Sequence, residues 1–286
     1  MNRKNSLLGI HIRIKWHRGW NIFGGLYHDL YKGNVLYTLP LVNVDPKLDE
    51  PARFHITLQN LTTSINGTNS SVLSEKHPAL LSTSSMFTYL PEELFDSFVD
   101  EMDLEKGAKH KDLYIIPCDT NATFIYDFGG FEIETPLSGY TFKVESNRTT
   151  DDMCAVMVKP HNKSYLTLGN GFFAATYVLF DLENLEISMA PASGIEYLDA
   201  FDYEYIESSI PSASRAASYS NTWILNQTSS TNSTRTSPPP TRTSFPSSRT
   251  TSRSTSRSTS RTTSRTSRTT SAYIGRFSSI SGRYNA

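Results

Sequence analysis

Short apolar runs separated by turn residues fill the first two thirds of the chain and predict a mostly β structure. The runs at residues 34–42, 53–61 and 177–181 are rich in β-branched and aromatic side chains, as strands are. A further run at 182–190 contains Glu183-Asn184, which predicts a turn between two strands. Turns are also expected at four other pairs: Gly24-Gly25, Asn66-Gly67, Gly129-Gly130 and Asn170-Gly171.

One segment has helical rather than strand periodicity. Pro91 is suited to the first helical position, and Glu92 and Glu93 favour the positive end of the helix dipole. The apolar residues that follow recur at helical spacing: Leu94, Phe95, Phe98 and Met102. The sequence therefore predicts a single helix in a β domain. The later aromatic run Phe172-Phe173, with Tyr177 and Phe180, is interpreted as core.

Composition divides the chain into two parts of opposite charge. No Asp or Glu occurs after residue 207, where Ser, Thr, Pro and Arg dominate and arginines repeat every four residues from Arg249 to Arg265. Such a segment buries too little apolar surface to offset its ordering entropy, so 208–286 is predicted to be a disordered tail. A solvated, O-glycosylated stalk, a basic arm and a mistranslated end remain alternatives. Nucleic-acid binding is disfavoured, because no aromatic residues stand among the repeating arginines.

Two cysteines, Cys118 and Cys154, are either a disulfide or two free thiols. Eight Asn-x-Ser/Thr sequons favour the disulfide, because together they indicate a secreted, oxidising environment. The glycosylation candidates are Asn60, Asn66, Asn69, Asn121, Asn147, Asn162, Asn226 and Asn232.

Residues 1–20 lack the apolar run of a signal peptide, and the C-terminus lacks the hydrophobic tail of a GPI signal. Either the protein stays inside the cell, or the sequence lacks its true ends; we favour the second interpretation. No run is long enough to span a membrane.

Four segments, in order, carry recognisable motifs. They are residues 19–41, with an FGG turn and a strand ending in Leu-Pro; residues 79–91, ALLSTSSMFTYLP; the pair Cys118 and Cys154, with a hairpin at 124–133 between them; and residues 165–192. Together they resemble the C-terminal lobe of fungal pepsin-like aspartic proteases of the yapsin and candidapepsin type. The resemblance implies one lobe of the pepsin-like double-psi β-barrel, mainly β, over residues 19–207. It also implies a Cys118–Cys154 disulfide. Residues 1–18 form a poorly defined N-terminal segment.

The chain departs from the family pattern at the residues that matter for catalysis. The family motif is Asp-Thr/Ser-Gly-Ser/Thr where this sequence has Ser82-Thr83-Ser84-Ser85. Ser82 thus replaces the aspartate of the motif, and Ser84 replaces its glycine. Outside that motif, Tyr27 and Asn170 each stand where the family usually has Asp. A Cβ at position 84 would resist the family geometry if that geometry requires a positive φ. We expect Thr83 and Ser85 to satisfy backbone groups of the loop.

Pepsin-like hydrolysis requires two carboxylates, one from each lobe, that share a proton. Ser82 cannot supply one, and no Asp-Thr/Ser-Gly triplet occurs elsewhere in the chain. As a nucleophile Ser82 would need a histidine base, and no Gly-x-Ser-x-Gly context surrounds it. The chain thus resembles an aspartic endopeptidase but is predicted to be inactive, with no cofactor or metal. His110 and His161 are interpreted as surface residues and Asp151-Asp152 as a solvated turn.

Two alternatives to an inactive pepsin-like protein remain open. The chain is a fragment of an active secreted or cell-surface endopeptidase, or it is a structural or peptide-binding cell-surface glycoprotein. Its expected partner is a peptide, a complementary lobe or a second chain, because an isolated lobe exposes the apolar surface that the other lobe covers.

Overall fold

The computed structural model describes residues 7–13, 18–107, 112–144, 152–194, 203–206, 210, 213–219 and 274–278. The chain divides into two compact units. One comprises Met1–Ile224 and Ala272–Ala286, and the other is Leu225–Ser271, which lies entirely outside the described residues.

Strands dominate the first unit. In its first half they are β1 (Leu7–Arg13), β2 (Arg18–Phe23), β3 (Gly25–Tyr27), β4 (Leu36–Pro40), β5 (His55–Leu58), β6 (Asn60–Ile65), β7 (Thr68–Leu73), β8 (His77–Leu81), β9 (Thr88–Pro91), β10 (Glu105–Lys106) and β11 (Tyr114–Pro117). The remaining strands are β12 (Ala122–Asp127), β13 (Glu132–Pro136), β14 (Thr141–Lys143), β15 (Met153–Val156), β16 (Val158–His161), β17 (Leu166–Leu168), β18 (Thr176–Asp181), β19 (Glu186–Pro191), β20 (Tyr203–Tyr205), β21 (Ala213–Arg215) and β22 (Ile274–Ser278).

Helical structure is confined to short segments. The α-helices are α1 (Glu92–Glu101) and α2 (Asn170–Ala175), and single 3₁₀ turns occur at His28–Leu30 and Leu137–Tyr140. The mainly β fold class predicted from the sequence is confirmed.

The described strands form five sheets. The largest has seven strands in the order β21-β4-β19-β18-β1-β2-β22. A five-stranded sheet, β16-β9-β17-β8-β5, contains two parallel pairs, β16 with β9 and β17 with β8. The others are β10-β11-β15-β14, β13-β12-β6-β7 and the pair β20-β3. The five-stranded sheet carries the loop of candidate site residues.

Most strand predictions are confirmed, and one needs correction. The runs at 34–42 and 177–181 are β4 and β18, and a turn after Asp181 leads into β19. The carboxylate of Asp181 accepts hydrogen bonds from the backbone amides of Glu183 at 3.1 Å and Asn184 at 3.0 Å, which fixes that turn. The run at 53–61 is two strands in different sheets. They separate at Gln59, whose amide bonds to the carbonyl of Asp127.

The helix prediction is confirmed with a shift of one residue. Pro91 is the N-cap and α1 begins at Glu92, while Phe95, Phe98 and Met102 face the core. The predicted turn at Asn170-Gly171 is instead the start of α2, which the sequence analysis missed. Gly171 permits this helix because a Cβ there would collide with the ring of Tyr140.

The core is aromatic-rich. Phe172, Phe173 and Phe180 are buried in the main cluster, and Tyr177 is buried in a smaller one, so their interpretation as core is confirmed. The hairpin expected at 124–133 is the antiparallel pair β12 and β13. Cys118 and Cys154 form a disulfide with their Cα atoms 4.9 Å apart.

Residues 213–219 pack against the body, beyond the boundary drawn from composition at 208. Strand β21 pairs with β4, and Ala216 joins the main core. The hydroxyl of Tyr219 accepts a hydrogen bond from the backbone amide of Thr57 at 2.9 Å and donates one to the carbonyl of Pro40 at 3.2 Å. The hydrogen-bond partners of Tyr219 are 162 and 179 positions away in the sequence, so the Ser/Thr-rich composition of the segment did not reveal these contacts. Strand β22 pairs with β2, and the rest of 208–286, apart from residue 210, lies outside the described residues.

Candidate active-site loop

The loop of residues 82–85 lies at the end of two parallel strands. It connects β8 to β9, and β8 runs beside β17 with Leu81 opposite Leu168. The amide of Ser82 donates to the carbonyl of Leu168 at 3.0 Å, which continues the strand pairing by one residue into the loop. The topology therefore places the residue after β8 beside the residue after β17.

A second segment, residues 169–170, holds the other side of the loop. The amide of Asn170 donates to the carbonyl of Ser85 at 2.9 Å, and the amide of Gly169 donates to Oγ1 of Thr88 at 3.2 Å. A Cβ on Gly169 would collide with the carbonyl oxygens of Ser85 and Phe87. The close approach of these two backbone segments thus depends on a residue without a side chain.

The hydroxyl groups of Ser82, Ser84 and Ser85 have their hydrogen-bond partners within the connection between β8 and β9. Oγ of Ser82 lies 3.4 Å from Oγ of Ser84, and Oγ of Ser85 donates to the carbonyl of Phe87 at 2.6 Å. The side chain of Ser85 thus satisfies a backbone group of the loop, as expected from the sequence. Within the described residues, neither a carboxylate nor an imidazole hydrogen-bonds to Ser82. Oδ1 of Asn170 is buried there without a hydrogen-bond partner.

Ser84 adopts its conformation without backbone strain. The described residues with positive φ other than glycine are Asn66, Asp103 and Leu185, so Ser84 is not in the left-handed region. The backbone strain that a positive φ would cause at Ser84 therefore does not arise. Thr83 and Ser84 are exposed, and Ser82 is half-buried.

Comparison with known proteins identifies the family. Residues 11–192 match the family model of the eukaryotic aspartyl proteases. This chain belongs to that family. It is 34% identical over 215 residues to aspartic proteinase MKC7 and 35% identical over 213 residues to aspartic proteinase yapsin-3, both of Saccharomyces cerevisiae. These matches cover 72% and 71% of this chain but only 35% and 39% of the relatives.

A more distant relative carries its location in its name. Secreted aspartic protease 9 of Candida albicans is 24% identical over 177 residues, which is 60% of this chain and 32% of that protein. The chain thus spans about a third of the length of the relatives it matches. The resemblance to fungal pepsin-like proteases stated from the sequence is confirmed.

Tyr27, a further departure from the aspartyl protease pattern, lies in the smaller core cluster. Its side chain is buried on β3, and its ring packs against Tyr203 with centroids 5.1 Å apart. Burial raises the pKa of Tyr27 above its ordinary value.

Of the histidines and acids singled out, only His161 and Asp152 are described; His110 and Asp151 lie outside the described residues. Burial, and secondarily the charge of Lys163, lowers the pKa of His161. Among the described residues, no group of three or more His, Cys, Asp or Glu side chains could hold a metal ion. The helices in this part of the chain are all too short or too polar to cross a bilayer.

Sequence reasoning missed a cluster of half-buried rings beside the loop, which we call the aromatic strip: Phe87, Tyr89, His161 and Tyr165. Neighbouring ring centroids are 6.2, 5.7 and 5.7 Å apart in that order. The signal was weak because strands β9, β16 and β17 bring together residues far apart in sequence. Aromatic side chains two residues apart at 87 and 89 are ordinary strand composition.

The sequons differ in their surroundings. Asn66, Asn69, Asn121 and Asn162 are exposed, whereas Asn60 is half-buried and its Oδ1 accepts a hydrogen bond from Ser71 at 3.2 Å. The remaining three, Asn147, Asn226 and Asn232, lie outside the described residues.

Proposed function

We propose that this chain is a non-catalytic pepsin-like lobe that does not hydrolyse peptide bonds by itself. One observation carries the proposal. Ser82 stands at the start of the loop between β8 and β9, where the family motif has its aspartate. Peptide hydrolysis by this family needs a pair of carboxylates that shares one proton, so that one takes a proton from water while the other polarises the carbonyl.

The surroundings of Ser82 support this proposal. A serine hydroxyl cannot hold the negative charge of a general base at acidic pH, and its neighbour at 3.4 Å is another hydroxyl, on Ser84. A serine nucleophile would need an imidazole within about 3 Å of Oγ. In the part of the chain that the structure describes, no histidine makes that hydrogen bond. Among the described residues, both routes to hydrolysis therefore lack their base.

The test is a protease assay at acidic pH on the purified chain and on a Ser82→Asp, Ser84→Gly variant, with a two-lobed pepsin as positive control. Neither form should cleave a quenched fluorescent peptide, because the variant restores only one of the two carboxylates. Near-UV circular dichroism should show that both are folded. Cleavage by the unmodified chain that a transition-state peptide analogue blocks would overturn the proposal.

A second candidate function is that this chain is one part of an active aspartic endopeptidase. It is favoured because the relatives are proteinases about three times as long as the matched segment. Residues outside this sequence would then supply the partner carboxylate. Co-expression with the N-terminal lobe of yapsin-3 distinguishes the two. This candidate requires activity in the mixture with unmodified Ser82, whereas our proposal expects activity at most with the Ser82→Asp, Ser84→Gly variant.

We further propose that the protein is secreted or held at the cell surface, where it binds a peptide, a complementary lobe or a second chain. The Cys118–Cys154 disulfide and the exposed sequons support that location, because disulfides persist in oxidising compartments. A relative named as a secreted protease supports it as well. Fractionation of cells that express the tagged chain, with and without deglycosylation, tests the location. A tagged protein found only in the cytosol would contradict it.

A further inference from the structure

Asn162 lies in the turn between β16 and β17, between two residues of the aromatic strip in the sequence. Its sequon is Asn162-Lys163-Ser164, and all three residues are exposed. His161 precedes the sequon and Tyr165 follows it, so ring side chains of the strip flank it on both sides. Within the described residues, no hydrogen bond involves the side-chain amide of Asn162. The amide is thus free to be modified.

A hydrogen bond from the backbone to His161 closes the turn. The backbone amide of Lys163 donates to Nδ1 of His161 at 3.2 Å. Nδ1 is therefore an acceptor, and the neutral ring carries its proton on Nε2. The ring of His161 lies almost parallel to that of Tyr89, with an interplanar angle of 13° and centroids 5.7 Å apart. The ring of Tyr165 crosses that of His161 at 68°, with centroids 5.7 Å apart. A sugar attached at Asn162 would therefore meet two aromatic rings set at an angle to each other.

The other described sequons lack this arrangement. Asn60 is half-buried and hydrogen-bonded, and the rings nearest in sequence to Asn121 include Phe124, which is buried in the core. Asn66 is at the tip of the β6–β7 hairpin with φ at 50°, and Asn69 follows on β7. No aromatic residue lies within four positions of either in the sequence.

We propose that Asn162 carries an N-linked oligosaccharide whose first N-acetylglucosamine packs against Tyr165 and His161. This inference rests on the proposed passage through the secretory pathway. In the reaction, C1 of the sugar leaves the pyrophosphate oxygen of its lipid donor and bonds to Nδ2 of Asn162, which loses one proton. The apolar face of the sugar covers ring surface that is otherwise half-exposed to water, which stabilises the turn.

Lys163 is the competitor for this surface. Its ammonium group lies 5.4 Å from the centroid of the Tyr165 ring, and the side chain is exposed. A cation–π contact at such an exposed site is weak. A covalently attached sugar has a high effective concentration over the ring, so it displaces the ammonium group without a large cost.

The first experiment measures occupancy. The full chain is secreted from yeast behind a heterologous leader, and glycosidase release in heavy-oxygen water marks each former glycan site for mass spectrometry. Asn162 should be occupied in most molecules, and a Ser164→Ala variant should lose only that site. An unmodified Asn162, whether the other exposed sequons are occupied or not, would overturn the proposal.

The second experiment tests packing against the ring. All glycans are trimmed to one N-acetylglucosamine, and thermal unfolding is compared for four forms: unmodified, Ser164→Ala, Tyr165→Leu and the double variant. The Asn162 sugar should raise the unfolding temperature by about 2–4 °C when Tyr165 is present. It should have little effect in the Tyr165→Leu background, which keeps the sequon intact.

Asn69 provides the matched control, since it is an exposed sequon with no ring beside it in the sequence. Loss of its glycan through Asn69→Gln should leave the unfolding temperature nearly unchanged. Equal stabilisation by the Asn162 sugar with and without Tyr165 would refute the packing. Because the heterologous leader brings the chain into the secretory pathway whatever its natural location, a failure of this proposal can be told apart from a failure of the proposed location, which cell fractionation tests.

Discussion

Gly169 and Ser85 are in such close backbone contact that no side chain fits at position 169. The carbonyl oxygen of Ser85 lies 2.7 Å from the point that a Cβ on Gly169 would occupy, and the amide of the next residue, Asn170, bonds to that same carbonyl. This contact joins the loop after β8 to the segment after β17. The geometry of the Ser82 loop therefore depends on a glycine at the end of the neighbouring strand β17.

Substitution at this contact should destabilise the fold. Gly169→Ala forces backbone atoms apart, and overpacking of this kind costs about 1–3 kcal/mol. Gly139→Ala is a suitable control, because its Cβ would lie 3.6 Å from the nearest atom, at ordinary contact distance. Urea unfolding should show a lower midpoint for Gly169→Ala than for Gly139→Ala. Equal midpoints would show that the loop moves away freely.

The disulfide should contribute a large share of the stability. It joins residues 36 apart, and the chain-entropy model gives about 3–4 kcal/mol for closing a loop of this length. Replacing Cys118 and Cys154 together with serine should lower the unfolding free energy by that amount. Reduction of the disulfide in the unmodified chain should lower its unfolding free energy by the same amount. The reductant should not lower the unfolding free energy of the serine variant any further. A reduced chain as stable as the oxidised one would contradict the expectation.

The fold was predictable from sequence where pattern and chemistry agree. The helix at 92–101 has its proline, its acidic first turn and its apolar spacing within a dozen residues. The break at Gln59 was not predictable, because it depends on the carbonyl of Asp127, 68 positions later in the chain. Local propensity cannot show which of two sheets a strand joins.

The candidate site likewise has residues that the sequence could predict and residues that it could not. The Ser82-Thr83-Ser84-Ser85 run was identified because it is a contiguous motif. The role of Gly169 and the aromatic strip were missed, because each depends on residues brought together by the parallel pairs β8–β17 and β9–β16. Such non-local pairing leaves no periodic signal in one sequence.

Two buried tyrosines should make the protein sensitive to alkali. The hydroxyls of Tyr126 and Tyr140 are 2.9 Å apart, and burial raises the pKa of both well above the ordinary value of 10. Above pH 10 the unfolded chain loses these protons while the folded chain keeps them, so stability falls as pH rises. The slope is up to about 1.4 kcal/mol per pH unit for each tyrosine.

A variant in which Tyr126 and Tyr140 are both phenylalanine separates this effect from general alkaline damage. Its unfolding free energy, measured by urea titration between pH 9.5 and 11.5, should fall less steeply than that of the unmodified chain. The half-buried Tyr114→Phe variant should keep the original slope. Identical slopes for all three proteins would mean that these hydroxyls ionise as readily in the folded state as in the unfolded one.

His55 should make the fold sensitive to acid, which matters for a chain related to acid proteases. Its ring is 1% exposed on β5 and packs edge-on against Tyr165, 4.9 Å away. Burial, with the charges of Arg53 and Lys163, lowers the pKa of His55 to about 4. Between its unfolded pKa of about 6.5 and that value, the unfolded chain binds a proton that the folded chain does not, so stability is lost as pH falls. Urea midpoints from pH 7 to pH 4 should therefore fall more gently in His55→Gln than in the unmodified chain or in the His77→Gln control, whatever the absolute stability of each variant. An unchanged pH dependence in His55→Gln would show that the carboxylates alone govern acid unfolding.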